Sequence, residues 1–355
     1  MNEIRLALTY DDVLLVPQYS KIASRSQVSL KTRITSAIEL DIPVISINME
    51  SVTGVEMAKA MSRSGAISFY PRFAPPDVQA KEVKQIIKDG YRVIPALGIK
   101  NQEMERVKKL VKAGATTLTI DIAHGHLEAA LSFLREIKKK FPKIEIISGV
   151  IATYQGARDL FIAGADAVRV GVGPGTICTT RKVTGSGVPQ ITATMDAYRA
   201  GLEFNRPIIT DGGTKTTGDI VKALASGANA VVVGSQLAGA DEAPGEIIDI
   251  DGKKYKRYNA STSATEKLNQ YKKHSKDKNF EYVYYVEGVE ALVKYKGPVR
   301  NILAKMERAI RSGLSYSGAF NISEFHQKAE FVRITPTSVT ENGAHGVIVP
   351  QEGFE

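Results

Sequence analysis

The chain has 355 residues, 43% of them hydrophobic and 24% charged, and Lys+Arg 47 against Asp+Glu 38 gives a net charge of +9. That balance belongs to a globular chain and excludes a mostly disordered one. Its apolar runs break well before the ~18 residues that a membrane span requires. A single cysteine, Cys178, excludes an internal disulfide and a cysteine-cluster metal site.

Taken in chain order, the first twelve residues carry acidic groups and no long apolar core, so no secretory signal is expected. Together with the lone cysteine, this predicts a reducing, cytoplasmic setting and no membrane partner. Short Val/Ile-rich runs then recur at 43–48, 66–70, 92–98, 117–123, 144–150, 167–173, 207–213 and 230–235. Nearly continuous hydrophobicity of this kind marks strands buried on both faces. Helical patterns lie between them. In 103–114, Val107, Leu110 and Val111 fall on one face; in 127–141, Leu131, Leu134 and Ile137 do so, and Lys138, Lys139 and Lys140 sit near the negative pole of the helix dipole. Eight strands alternating with helices predict a closed (β/α)₈ barrel, the TIM-barrel class of α/β fold.

A weak internal repeat supports this reading. Gly65, Gly114, Gly164 and Gly227 each stand between a small residue and an alanine, at the junction of a helix with the next strand. A glycine there takes positive φ, stops the helix and feeds the strand. The repeat is longest between Gly164 and Gly227, and the extra residues fall around 171–190, at the carboxyl end of the sixth strand, where barrel chemistry usually sits. A second insertion, 251–296, follows the eighth strand. It holds seven of the fourteen tyrosines and ten lysines with little period, and is expected to be a mobile flap. An eighth helix is expected over 297–313. The segment 335–355 reads as a polar C-terminal arm on a single barrel domain, 1–355.

The strongest local signal is Gly171-Val172-Gly173-Pro174-Gly175-Thr176-Ile177-Cys178-Thr179-Thr180-Arg181-Lys182. Three glycines and a proline build a loop whose backbone can approach a ligand closely. Nearby cations favour the thiolate, the nucleophilic form of cysteine. Two more glycine turns, Asp211-Gly212-Gly213 and Gly234-Ser235, close the seventh and eighth strands, the usual place of a barrel phosphate cradle. Asp211 offers acceptors to a ribose diol. His124 and His126 lack a third metal ligand nearby, so a hydrogen-bonding loop role is favoured over a metal site. The Lys/Tyr-rich flap has no known base-stacking motif, and the basic excess is spread out rather than gathered in one arm, so no nucleic-acid partner is expected.

These residues together resemble the inosine-monophosphate dehydrogenase and guanosine-monophosphate reductase family over nearly the whole chain. The resemblance runs through Leu8-Thr9-Tyr10-Asp11-Asp12, Asn48-Met49, Asp121-Ile122-Ala123-His124, the cysteine loop, Asp211-Gly212-Gly213, Gly234-Ser235, Glu287-Gly288 and Arg311-Ser312-Gly313 in family order. It implies that Cys178 attacks C2 of a purine nucleotide. It implies further that Thr180 and Glu287 handle protons, and that Thr176, Gly213, Gly234, Ser235 and Tyr258 hold the 5′-phosphate. Asp211 would hold the ribose, and Met49, Ser261 and Thr262 would line the base. Asp121 and Ala123 would face a nicotinamide cofactor. The carbonyls of Gly173, Gly175 and Cys178 match a potassium site completed by a neighbour's C-terminal segment, for which Glu341-Asn342-Gly343 is the candidate, in a homotetramer. The regulatory CBS pair of most of the dehydrogenases would follow the second strand; only 73–90 lies there, so that module is not expected.

Lys182, Thr184 and Asn48-Met49 resemble the reductase pattern, and the stretch from His274 to Tyr282 has no Arg-Tyr pair of the kind that activates water in the dehydrogenases. Glu287-Gly288-Val289-Glu290 and Arg311-Ser312-Gly313-Leu314-Ser315-Tyr316-Ser317-Gly318 look more dehydrogenase-like. The reading favoured is reductive deamination of GMP to IMP and ammonia by NADPH. IMP dehydrogenation with NAD is the alternative enzyme reading. Ala260-Ser261-Thr262-Ser263 departs from the family's Gly-Met-Gly/Ser-Ser at the purine edge, Glu50 replaces an aspartate, and Tyr70-Pro71-Arg72 replaces a histidine-bearing segment. Those departures leave open a modified or deaza-purine nucleotide, or a catalytically silent nucleotide-binding paralogue.

Overall fold

The computed structural model describes residues 4–100, 103–273 and 286–343. Eight parallel strands close into a barrel: β1 (Val44–Ser46), β2 (Ile67–Tyr70), β3 (Ile94–Leu97), β4 (Thr117–Asp121), β5 (Glu145–Ile151), β6 (Ala167–Val170), β7 (Ile208–Asp211) and β8 (Ala230–Val233). Neighbours pair in sequence order, and β8 returns to β1 with Val231 opposite Val44. All eight lie inside or across the expected runs, and the fold is a (β/α)₈ barrel.

Helices link the strands. Val55–Arg63, Pro76–Lys88, Glu103–Lys112, Glu128–Lys140 and Tyr154–Ile162 follow β1 to β5, and Gln190–Phe204, Thr217–Ala225 and Val299–Tyr316 follow β6 to β8. The last begins two residues later than expected and runs three further. Gly65, Gly114, Gly164 and Gly227 have φ of +78°, +100°, +105° and +108°. The repeat is therefore a conformational one, since L-residues disfavour this region. Between β2 and β3 the linking element is the Pro76–Lys88 helix, with no inserted domain.

The barrel interior is apolar toward its N-terminal end. Ile45, Ile67, Phe69, Ile94, Ile147, Ile209 and Val232 meet Ile34, Ile38 and Leu40 of a hairpin, Thr32–Arg33 with Glu39–Leu40, that plugs the opening. Glu145, at the start of β5, fastens the plug. Its carboxylate accepts from the Ala37 amide at 3.1 Å, from the Thr117 hydroxyl at 3.3 Å and from the Ser36 hydroxyl. Burial works against its charge, yet these bonds and one from Thr35 hold its pKa below the usual carboxylate range.

The flap corrects an expectation. In place of an irregular segment, Ile248–Ile250, Lys253–Asn259 and Glu290–Lys294 form an antiparallel three-stranded sheet, with a helix, Ala264–Lys273, between its second and third strands. The sheet is anchored by Lys256, 2% exposed, whose ammonium donates to the carbonyls of Ala240 (3.0 Å), Asp241 (3.3 Å) and Ala243 just beyond β8. The expected arm is described only to Gly343 and includes a 3₁₀ turn, Pro336–Asn342; the rest of 335–355 lies outside the described residues, as does the flap stretch 274–285.

Candidate active site

The loops after β6, β7 and β8 meet at the C-terminal end of the barrel. Positive φ at Gly173 (+67°), Gly212 (+83°) and Gly213 (+86°) folds them tightly. A Cβ on Gly212 would lie 3.2 Å from Pro174 and 3.3 Å from the Gly175 nitrogen; one on Gly213 would lie 3.3 Å from Pro174. The Thr176 hydroxyl reaches that of Ser235 at 3.5 Å. Tyr258, 4% exposed, brings its hydroxyl to the Ser235 amide, and a Cβ on Gly234 would sit 2.6 Å from that oxygen. Thr176, Gly234, Ser235 and Tyr258 therefore lie together, and Gly213 packs against Pro174 of the same cysteine loop. Burial, with Asp211 and Cys178 close by, holds the Tyr258 proton on well above the usual phenol range.

Cys178 is half-buried at the centre of this mouth. Its loop is stitched to the flap: the Thr179 amide donates to the Glu287 carbonyl at 2.9 Å, and the Val289 amide to the Ile177 carbonyl at 3.1 Å. That pairing aligns three side chains. The Cys178 thiol donates to Thr180 Oγ1 at 3.2 Å, and the Thr180 hydroxyl donates to Glu287 Oε2 at 2.6 Å. The chain of donors forms a path by which a proton can leave the sulfur and reach a carboxylate 107 residues away in sequence. Gly288 is required for this closeness, since a Cβ there would fall 2.2 Å from Ala260 and 2.9 Å from Thr262 Oγ1. Thr262 and its neighbour Ser261, whose carbonyl accepts from Gln270 at 2.8 Å, thus border the Cys178–Gly288 bridge. Arg181 folds back into its own loop, donating to the carbonyls of Val172 (2.9 Å) and Val188 (2.7 Å); burial lowers its pKa and nearby Cys178 opposes that effect.

The residue that ties the mouth together was missed in the sequence. Arg169, in β6 and 1% exposed, lies across the barrel. It donates to Asp211 Oδ2 from Nε at 3.0 Å and also from Nη2, reaches Asp121 Oδ1 at 3.1 Å and Asn48 Oδ1 at 3.1 Å, and stacks over Phe69 at 4.5 Å. Asn48 in turn donates to Asp121 Oδ2 at 2.8 Å. Burial opposes the Arg169 charge, but Asp211 and Asp121 outweigh it and hold it cationic; burial likewise pushes the Asp211 carboxyl up, with Arg169 offsetting part of that rise. Asp211 therefore commits Oδ2 to Arg169 rather than standing free for a ligand, which narrows the expected ribose role to its other oxygen. Asp121 keeps a partly exposed face, and Arg72 lies beside it, with Nε 3.2 Å from the Asp121 carbonyl. Met49, 8% exposed, belongs to the core beside Asn48, and Ala123 lies exposed on the loop after β4.

Outside 274–282 the flap does contain an Arg-Tyr dipeptide, Arg257-Tyr258. Strand alternation puts Arg257 in solvent and Tyr258 in the core, so the two do not act on one water. His126 pairs with Asp159 at 2.8 Å, and no metal-binding group of three His, Cys, Asp or Glu residues occurs among the described residues. No helix among them is long and apolar enough to cross a membrane.

The site is thus a half-buried cysteine at the C-terminal mouth of a (β/α)₈ barrel, beside the glycine turns that follow β7 and β8. The family model for the IMP dehydrogenase / GMP reductase domain matches residues 7–345, and the chain belongs to that family of NAD(P)-dependent oxidoreductases. It is 35% identical to an inosine-5′-monophosphate dehydrogenase of Nitrosopumilus maritimus (strain SCM1), covering 98% of this chain and 100% of that protein. It is 30% identical to a GMP reductase of Leishmania major, covering 96% and 97%. Among solved structures, a GMP reductase from Trypanosoma brucei in complex with guanosine 5′-monophosphate superposes with a TM-score of 0.90 at 29% identity, over 97% of this chain and 99% of that one.

Proposed function

We propose that this protein is a GMP reductase-like enzyme that converts GMP to IMP and ammonia with NADPH. The observation that carries the reading is the donor chain from Cys178 through Thr180 to Glu287. Cys178 adds to C2 of the purine as its proton passes by the Thr180 hydroxyl to Glu287. The same path run backward protonates the 2-amino group, which leaves as ammonia while sulfur remains bonded to C2. When bound, a dihydronicotinamide would supply the hydride that replaces sulfur at C2. The thiolate then departs and IMP is released.

The remaining residues position the reactants. Gly213, Gly234, Ser235, Thr176 and Tyr258 hold the 5′-phosphate, with charge-assisted hydrogen bonds of roughly 1.5–3 kcal/mol each. Asp211 holds the ribose through its free oxygen, and Met49, Ser261 and Thr262 border the base. Asp121, with Ala123 on the rim, faces the cofactor. The residues present fit such a group, because Asp121 offers acceptors and Arg72 a cation to its hydroxyls and phosphates. The carbonyls of Gly173, Gly175 and Cys178 are the proposed potassium ligands, as hard oxygen donors suit such a cation. A homotetramer in which the C-terminal arm reaches a neighbour's cysteine loop completes the proposal.

Oxidation of IMP by NAD is the second reading, favoured by the dehydrogenase names of relatives such as that of Cryptosporidium parvum, 36% identical. It needs a group that activates water to hydrolyse the adduct, and Arg257-Tyr258 is not placed for that. Absorbance at 340 nm tests the choice. GMP should consume NADPH, and IMP should leave NAD unreduced; reduction of NAD by IMP with GMP inert would replace the first reading by the second.

A further inference from the structure

A cleft lies away from the nucleotide site. The Val299–Tyr316 helix starts near the C-terminal end of β8, where the Asp241 amide donates to the Gly297 carbonyl at 3.0 Å, and runs back along the barrel. Its second half therefore lies toward the plugged end, opposite Cys178. There Arg308 and Arg311, three residues apart on one helix face, stand across from Arg25 and Ser26. The four residues line a cavity of about 430 Å³.

Arg311 and the backbone of the Arg25–Gln27 turn are held before any ligand arrives. Arg311 donates to Glu307 at 2.9 and 3.1 Å and to the Val28 carbonyl. The Arg25–Gln27 turn is closed by Gln27, whose Oε1 accepts from the amides of Ala23 (2.9 Å) and Ser24 (3.0 Å). Arg25 and Arg308 have no side-chain hydrogen bond or ion pair among the described residues. Three guanidiniums against one carboxylate, Glu307, leave two uncompensated positive charges around one concave surface. No aromatic ring lines it, so nothing in it would hold a nucleobase.

We propose that this cleft binds a pyrophosphate-class anion, two adjacent phosphoryl groups gripped by the forks of Arg25 and Arg308 with Arg311 at the base. A guanidinium matches phosphoryl oxygens in pairs, which a single ammonium cannot do. The same chemistry is carried by free pyrophosphate and by the polyphosphate tail of a nucleotide. The inference does not rest on the reductase reading, because none of its residues belongs to the nucleotide site.

Calorimetry at fixed ionic strength tests it on the full chain, with pyrophosphate, orthophosphate and ATP as probes. Pyrophosphate should bind the wild type more tightly than orthophosphate, and ATP no more tightly than pyrophosphate. Arg25→Ala/Arg308→Ala should weaken pyrophosphate binding at least about tenfold, as expected for loss of one charge-assisted contact or more. Arg25→Lys/Arg308→Lys, which keeps charge but loses the fork, should fall between. The alanine variant should melt with the wild type, since both side chains are exposed. Equal binding in wild type and the alanine variant would overturn the site, and would assign the signal to the phosphate cradle near Ser235. ATP binding far tighter than pyrophosphate, and lost in the variant, would overturn the pyrophosphate class by showing that a base is read.

Discussion

The two ends of the barrel are built from the same eight strands and do opposite work. At the N-terminal end a hairpin drives Ile34, Ile38 and Leu40 among the strand side chains, and a buried carboxylate, Glu145, is spent holding the plug. At the C-terminal end the interior turns polar within one layer. Arg169 lies over Phe69, and above it Asp211, Asp121 and Asn48 gather beneath the Cys178 loop. Burial at the first end secures the fold, whereas burial at the second holds charges where a ligand can meet them, which costs stability unless each charge is paired. One strand serves both purposes, with the change occurring between Ala167 and Arg169 of β6.

Mutations should separate the two ends, beginning with the largest effect. Cys178→Ser should reduce turnover to background while leaving nucleotide binding by calorimetry nearly unchanged, because a serine hydroxyl lacks a thiolate's nucleophilicity at neutral pH. Retained turnover would remove covalent catalysis from this position. Glu287→Gln should slow ammonia release from GMP by roughly two orders of magnitude or more, the usual contribution of a positioned acid–base group. The amide keeps the shape, so KM should move far less; a KM effect equal to the kcat effect would instead mark Glu287 as a binding group.

The plugged end should show the converse. Leu40→Ala should lower unfolding free energy by about 2–5 kcal/mol, the range for a fully buried leucine, and leave kcat of the folded enzyme unchanged. A comparable loss of kcat without loss of stability would mean that the ends are not separable. The smallest effect concerns pH. The folded-state pKa of Glu145 is depressed, so its contribution is present above the ordinary carboxylate pKa and is lost as pH falls through the folded value. Glu145→Gln should flatten that acid-side loss, closing the gap in melting temperature to wild type by about 2 °C on acidification. Parallel melting curves against pH would assign the acid sensitivity elsewhere.

Much of this was legible in residues whose backbone demands are local. Gly65, Gly114, Gly164 and Gly227 announce their turns because few other residues adopt that conformation, and the Gly171–Cys178 loop combines such glycines with the chain's single cysteine. Arg169 was not legible. It is one charge inside an apolar run, and its partners lie 42, 48 and 121 positions away from it, or on the far side of the barrel, where no spacing rule reaches. The flap sheet was hidden for a different reason. Tyr258 alternates correctly with exposed Arg257, but the buried position before it is Lys256, whose ammonium finds three carbonyls rather than water. A lysine at an inward position erases the period that marks a strand.

The central claim is that Cys178 forms a bond to the nucleotide as ammonia leaves. Intact-protein and peptide mass spectrometry of enzyme incubated with GMP and no cofactor measures this directly. A mass gain equal to GMP less ammonia is expected, located on the peptide containing Cys178 and absent from Cys178→Ser. An unmodified Cys178 peptide in an enzyme that turns over GMP with NADPH would contradict it.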